Sequence, residues 1–136
     1  MGYPIAGMIK DYVPPDYISQ EVMVPHGISV SVTAAECFRF TAPAAYARHM
    51  EAAEALGHDV QGVPLREAGE CLAQALIDLM QDIGFPNGIG ELGYGKEDIP
   101  GLVDGAWKQQ RLLNVAPRKP TQGDLAGIFQ RSISNW

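Results

Sequence analysis

The chain has 136 residues, a length typical of one domain with a substantial core. Hydrophobic residues make up 46% and charged residues 19%, which is the composition of a globular chain rather than a disordered one. Ten Lys and Arg against sixteen Asp and Glu give a net charge of −6 with no basic cluster, which argues against nucleic-acid binding. No apolar stretch approaches the roughly 18 residues of a membrane span, and the N-terminus lacks a signal-peptide pattern. These features together predict a cytoplasmic protein that binds no membrane.

The two cysteines, Cys37 and Cys71, lie far apart in apolar helical patterns. This spacing fits neither a disulfide framework nor a C-x-x-C motif. We therefore expect two buried, unreactive thiols. A reactive thiol is the alternative, but no cluster of cationic residues stands beside either cysteine to favour it.

The first part of the chain has the least regular pattern. Within residues 1–27, Pro4 and the pair Pro14 and Pro15 predict a short helix that runs into a loop. The next segment, residues 28–38, begins by alternating apolar and polar residues as a strand does. Its apolar residues also keep helical spacing, so the pattern alone leaves strand and helix open.

Two helices follow with clearer patterns. The first covers residues 44–56, with Pro43 near its start and Gly57 as its stop. The second covers residues 64–83, where apolar residues recur every three or four positions. We expect this second helix to be the central packing element, and three of its leucines to be among the most buried residues: Leu72, Leu76 and Leu79.

Two more helices are indicated by their N-terminal residues. One begins near residues 96–98, whose acids suit a helix N-terminus. The other begins at Thr121, which forms a capping pattern with Asp124. No convincing strand occurs after residue 35, and the chain has no internal repeat. The sequence therefore predicts an all-α fold.

Few residues have the pattern of a catalytic or binding site. The glycines within residues 88–93 follow a helix and a proline turn, so we interpret them as a connector and not as a phosphate loop. His49 and His58 are expected to be solvated surface residues. His26 lies between Pro25 and Gly27 in irregular backbone, which suits either a loop or helix-capping residue or a metal ligand or proton relay.

Several segments of the chain, in the right order, resemble the iron-containing, or group III, alcohol dehydrogenases. The matching segments are residues 24–30 with the motif Pro25-His26-Gly27, residues 50–57, residues 92–103, and residues 116–125, where Ala116 replaces the usual asparagine of a closing Asn-Pro-Arg motif. Within that family, residues 3–7 and 45–49 look most like the hydroxyacid–oxoacid transhydrogenase branch.

The resemblance implies a fold and a set of ligands. Members of the family have an N-terminal α/β domain for NAD(P) and a helical domain that holds iron or zinc with one aspartate and three histidines. Residues 1–136 resemble the second half of the helical domain, so we expect a single all-helical domain, a helical bundle that lacks the nucleotide-binding domain. His26 matches one of the four metal ligands. Tyr3 is expected near the site without an assigned role, and another ligand histidine would precede Tyr3 by four residues, outside the chain.

The resemblance therefore predicts the C-terminal, metal-domain fragment of an iron-dependent alcohol dehydrogenase or hydroxyacid–oxoacid transhydrogenase. Alone, this fragment is expected to bind neither metal nor nicotinamide tightly and to be inactive. Asp11 and Asp16 lie near His26 in sequence, but neither matches a ligand motif. The expected partner is the missing N-terminal domain, and an apolar face left by its absence would favour self-association. The alternative is a stand-alone helical interaction domain that has kept the fold and lost the chemistry.

Overall fold

A computed structural model describes residues 1–15, 17–18 and 20–136. In these residues the regular secondary structure is entirely helical, which confirms the all-α prediction. The α-helices are α1 (Gly2–Gly7), α2 (His26–Ser31), α3 (Ala34–Thr41), α4 (Tyr46–Ala55), α5 (Ala68–Asp82), α6 (Ile99–Trp107), α7 (Gln110–Leu113) and α8 (Gln122–Arg131). Single 3₁₀ turns occur at Ala42–Ala44, Leu65–Glu67, Ile89–Leu92 and Lys96–Asp98. None of the described helices is long and apolar enough to cross a membrane.

The larger core lies where α1, α2, α6 and α8 meet. Ile5 of α1, Leu102 of α6 and Phe129 of α8 are fully buried there. Tyr94 is buried in the same core and donates its hydroxyl hydrogen to the carbonyl oxygen of Ile5 at 2.5 Å. This bond satisfies a buried polar group and ties α1 to the segment that precedes α6.

A second group of helices forms around α5, against which α3 and α4 pack. The contact surfaces are lined by small residues, and a Cβ atom on Gly69 would lie 2.6 Å from the Cβ of Ala42. The buried carboxylate of Glu36 on α3 accepts hydrogen bonds from Arg39 at 2.6 Å and from Arg131 of α8. Because Arg131 lies on α8, whose apolar side chains belong to the larger core, this ion pair joins the two groups of helices.

Residues 28–38 are helical, so of the two patterns that the segment carries the helical spacing is the one that is realised, in agreement with the all-helical domain that the resemblance implies. They are divided between α2 and α3, with a break at Val32 and Thr33, where Thr33 has φ −105° and ψ 6°. The alternating start is explained by burial, because Ser29 is fully buried while Val30 is 44% exposed. The capping pattern at Thr121 is also confirmed, since the hydroxyl of Thr121 accepts from the Asp124 N–H at 3.1 Å.

The predicted burial of α5 is partly wrong. Leu72 is 3% exposed as expected, but Leu76 is only half-buried and Leu79 is 44% exposed. The helix α4 ends at Ala55, and Leu79 lines the open cleft beside that end instead of a helix surface. Ala73 and Ile77 of α5 pack on α3, and Cys71 and Leu72 pack on α4. The buried residues of α5 are Ala68, Gly69, Cys71, Leu72, Ala73, Ala75, Ile77 and Met80.

Candidate functional site

His26 is the first residue of α2, and its side chain is exposed. The preceding Pro25 is extended (φ −54°, ψ 144°), so the chain turns sharply into the helix. The fully buried Ser29 fixes this turn, because its N–H donates to the Pro25 carbonyl at 3.0 Å and its hydroxyl donates to the His26 carbonyl at 2.9 Å. Among the described residues no side chain caps this helix, and the N-cap position is held by Pro25, so the capping interpretation of His26 is wrong.

Two other side chains lie beside His26 and form with it what we call the Tyr3 cluster: Tyr3 of α1, His26 of α2 and Arg111 of α7. The ring centroids of Tyr3 and His26 are 6.4 Å apart with the planes at 62°, an edge-to-face arrangement. The Arg111 Nη2 donates to the Tyr3 hydroxyl oxygen at 3.1 Å, and the Arg111 Cζ lies 5.8 Å from the centroid of that ring. The cluster thus joins three elements that are far apart in the sequence.

Close helix packing on both sides of α1 brings the cluster together. A Cβ atom on Gly2 would lie 2.6 Å from Val30 Cγ1, so the absence of a side chain lets α1 approach α2. On the other side, a Cβ atom on Gly105 would lie 2.7 Å from the Cβ of Pro4, so a second glycine lets α6 approach α1. Tyr3 lies between these two contacts, next to the helix that carries His26 and the one that leads to Arg111.

The described residues do not by themselves fit a metal ion. No three His, Cys, Asp or Glu side chains come together in ligand geometry within the described part of the chain, whereas catalytic metal sites hold three or more protein ligands. His58 lines a cleft of about 270 Å³ with Asp78 and Asp82, but these groups do not form such a set either. Asp16 lies outside the described residues.

The prediction that His49 is a solvated surface residue is wrong. His49 is 6% exposed, its Nδ1 lies 2.9 Å from the Ala45 carbonyl oxygen, and its Nε2 lies 3.0 Å from Thr41 Oγ1. The Phe38 ring packs edge-on against it with centroids 5.6 Å apart. With both ring nitrogens bonded, this histidine holds α4 against the end of α3 and is not available as a ligand.

The two cysteines have the environment of structural thiols. Cys71 is buried between α4 and α5. Cys37 is half-buried, and burial raises the pKa of its thiol. A raised pKa lowers the thiolate fraction at neutral pH, which favours the unreactive reading of this residue.

An apolar groove of about 470 Å³ lies beside the start of α2. It is lined by Tyr12, Pro14, Pro25, Ile28 and Phe85, among others. Side chains on the loop that leads to His26 are also exposed, Ile18 completely and Val22 by half. The surface next to His26 therefore exposes a contiguous set of apolar side chains, which is typical of an interaction surface.

Arg111 is the residue of this site that the sequence analysis missed. The residues around Arg111 do indicate that its charge is unpaired locally. No acidic residue lies three or four positions away on either side, where a helical ion pair would form; these positions hold Trp107, Lys108, Asn114 and Val115. Its contact with Tyr3, 108 positions earlier, follows only from the packing of α6 on α1.

Comparison with known proteins identifies what the chain resembles. The C-terminal model of the Fe-containing alcohol dehydrogenase family matches residues 17–133. Mitochondrial hydroxyacid–oxoacid transhydrogenases from Xenopus tropicalis and Rattus norvegicus are 42% and 40% identical over 133 residues, which is 98% of this chain. The solved structure of an alcohol dehydrogenase from Oenococcus oeni superimposes with a TM-score of 0.73 at 28% identity, over 80% of this chain and 28% of that one.

The chain spans less than a third of these relatives, 29% of the Xenopus protein and 28% of the rat protein. The names of both relatives place them in mitochondria, which contradicts the cytoplasmic prediction. The cytoplasmic prediction depended on the lack of a leader pattern at the start of the sequence. Because the chain matches less than a third of each relative, the residues at its start carry no information on localisation.

Proposed function

Because the chain belongs to the iron-containing alcohol dehydrogenase family, we propose that it is the metal-binding helical part of an oxidoreductase of the hydroxyacid–oxoacid transhydrogenase type. In this proposal residues 1–136 form one all-helical domain. NAD(P) binds to another domain of the enzyme, which lies in the part of the relatives that these 136 residues do not cover. The observation that carries the proposal is the placement of His26, whose exposed imidazole stands at the start of α2.

In the proposed enzyme His26 supplies one nitrogen ligand to an iron or zinc ion, and residues outside the described part of the chain supply the others. The imidazole suits this role, since it is exposed and its backbone is fixed by Ser29. Because His26 is a single ligand, we expect the 136 residues alone to bind metal weakly and to be inactive.

The reaction we propose is named by the transhydrogenase relatives. One hydroxyacid is oxidised to its oxoacid while a second oxoacid is reduced to its hydroxyacid, so a hydride and a proton pass in net from the first substrate to the second. This chain contributes the face of the site that carries Tyr3 and His26.

The partner that we propose for the apolar surface beside His26 is the nucleotide-binding part of the enzyme. Val13, Ile18 and Val22 are exposed on the loop before α2, and the groove next to them is lined by prolines and aromatic rings. Burying this surface against a second domain would be favourable. The isolated chain is therefore expected to self-associate through the same surface.

The proposal is tested by reassembly. The chain is co-expressed with the part of the Xenopus tropicalis transhydrogenase that it does not match, and purified without chelator. We expect the chain alone to contain almost no metal and the reassembled pair to contain one metal per chain and to transfer hydride between a hydroxyacid and an oxoacid. His26→Ala should abolish both properties, whereas His58→Ala, a matched change in a distant histidine, should preserve both.

Two results would contradict the proposal. Metal retained by the reassembled His26→Ala protein would show that His26 is not a ligand. A chain that stays monomeric and never associates with the other part would favour the interaction-domain alternative. Analytical ultracentrifugation of the chain with and without its partner distinguishes these cases.

A further inference from the structure

Arg111 has no carboxylate partner in the part of the chain that the structure describes. Among the described residues its guanidinium forms no ion pair, whereas Arg39 and Arg131 both bind Glu36. Its polar contact is the hydrogen bond from Nη2 to the Tyr3 hydroxyl oxygen at 3.1 Å. In a chain of net charge −6, an exposed arginine that pairs with a neutral phenol leaves its positive charge available to an anion.

The position of this charge relates it to the site. The guanidinium carbon lies 5.8 Å from the centre of the Tyr3 ring, and that centre lies 6.4 Å from the centre of the His26 ring. Tyr3, which is 49% exposed, is thus a common neighbour of Arg111 and His26. An anion bound by Arg111 would therefore lie on the same surface as a metal bound by His26.

The chemistry of the two end groups suits a small organic acid. A guanidinium presents five N–H donors in a planar fork that matches a carboxylate, and Arg111 uses one of them on Tyr3. The Tyr3 oxygen accepts that hydrogen bond and keeps its own O–H to donate. Tyr3 therefore orients the guanidinium and adds a donor beside it.

We propose that Arg111, positioned by Tyr3, binds the carboxylate of the hydroxyacid and oxoacid substrates and so selects acids over neutral alcohols. This inference rests on the proposed function, in which His26 and residues outside the described part of the chain would hold a metal that polarises the substrate. Arg111 is a substrate-binding residue in this scheme, and Tyr3 is a positioning residue.

The binding step is tested on the 136-residue chain by NMR of the arginine side-chain Nε–H groups. The probes are straight-chain ω-hydroxycarboxylates of two to five carbons, each compared with its neutral amide. We expect the Arg111 resonance, identified by its loss in Arg111→Lys, to shift saturably with at least one acid and with none of the amides. Arg118→Gln is the matched control, since Arg118 also forms no ion pair within 4 Å among the described residues and lies on Phe40 instead, so its loss should leave the shift unchanged.

Tyr3→Phe removes the hydroxyl oxygen that accepts from Arg111 and keeps the ring. It should weaken the binding of the acid severalfold and leave the spectrum of the unbound chain otherwise unchanged. A shift that is equal for acid and amide, or no shift at about 50 mM acid, would overturn the proposal.

The reassembled enzyme separates this inference from the proposed function. Arg111→Gln should raise KM for the hydroxyacid roughly 10- to 100-fold, the range expected for a lost charge-assisted hydrogen bond, and leave the metal content unchanged. If that variant keeps its metal and its KM, the Arg111 proposal is wrong and the function stands. If reassembly fails while the chain still binds acids over amides, the proposed function is wrong and Arg111 remains an acid-binding residue.

Discussion

Two glycines of α6 offer a paired test of how this site is built. Gly105 faces Pro4 of α1, where an added Cβ would lie 2.7 Å from the Cβ of a rigid ring. Gly101, one helical turn earlier, faces the end of the flexible Met8 side chain, where an added Cβ would lie 2.8 Å from Cε. The same substitution, glycine to alanine, should therefore have opposite effects at the two positions.

The magnitudes follow from two opposing contributions. Alanine is favoured over glycine inside a helix by about 0.8–1 kcal/mol. At Gly101 the Met8 side chain can rotate away, so Gly101→Ala should raise the free energy of unfolding by up to about 1 kcal/mol. At Gly105 the Pro4 ring cannot move aside, and overpacking of this kind costs about 1–3 kcal/mol. After the helix propensity is subtracted, Gly105→Ala should lower stability by up to about 2 kcal/mol.

The assay is urea unfolding of both variants, followed by circular dichroism at the helical band. The NMR titration with ω-hydroxycarboxylates adds a second measurement, because moving α1 away from α6 also separates Tyr3 from Arg111. We expect Gly105→Ala to weaken acid binding and Gly101→Ala to preserve it. Equal stability changes in the two variants, or undiminished acid binding in Gly105→Ala, would refute the packing argument.

Three further predictions concern the rest of the fold. Leu72→Ala should lower the free energy of unfolding by about 2–5 kcal/mol because Leu72 is 3% exposed, whereas Leu79→Ala should lower it by under about 1 kcal/mol. Similar losses for the two variants in urea titrations would contradict the assignment of the buried face of α5. His49→Ala should cost about 1–3 kcal/mol in the same titration, since it removes a buried side chain that bonds to Thr41 and packs against Phe38, and an unchanged midpoint would contradict this. The hydrogen bond from Lys10 holds the pKa of Asp98 below its usual 3.8, so its contribution to stability is present above that pH and is lost as the pH falls further. Thermal unfolding of Asp98→Asn between pH 2 and 6 should accordingly show a smaller loss of stability towards acid than the unchanged chain, and parallel curves would contradict it.

The helices that the sequence predicts well are those with strong local determinants. The capping pair at Thr121 and Asp124 fixes the start of α8, and the acids before Ile99 fix the start of α6. Such determinants act within one turn, so they can be read from neighbouring residues. The helix α7 has neither an N-terminal cap nor an apolar repeat, and it was not predicted.

Burial was predicted less well because it depends on where other helices end. Leu79 continues the apolar repeat of α5, but the helix that would cover it stops at Ala55. His49 has the sequence environment of a solvated residue, and it is buried because Thr41 and Phe38 of α3 happen to face it. Neither outcome is contained in the periodicity of a single segment.

The candidate site divides in the same way between local motif and long-range packing. His26 was identified by its neighbours Pro25 and Gly27, which also shape the start of α2. Arg111 has no motif, and its place beside Tyr3 depends on the contact of α6 with α1. If the metal ligand is common to the family and the acid-binding arginine is set by packing, then changes at the α1–α6 contact can alter substrate choice without touching the metal. A hydroxyacid preference would then be encoded in a helix contact that includes none of the reacting atoms.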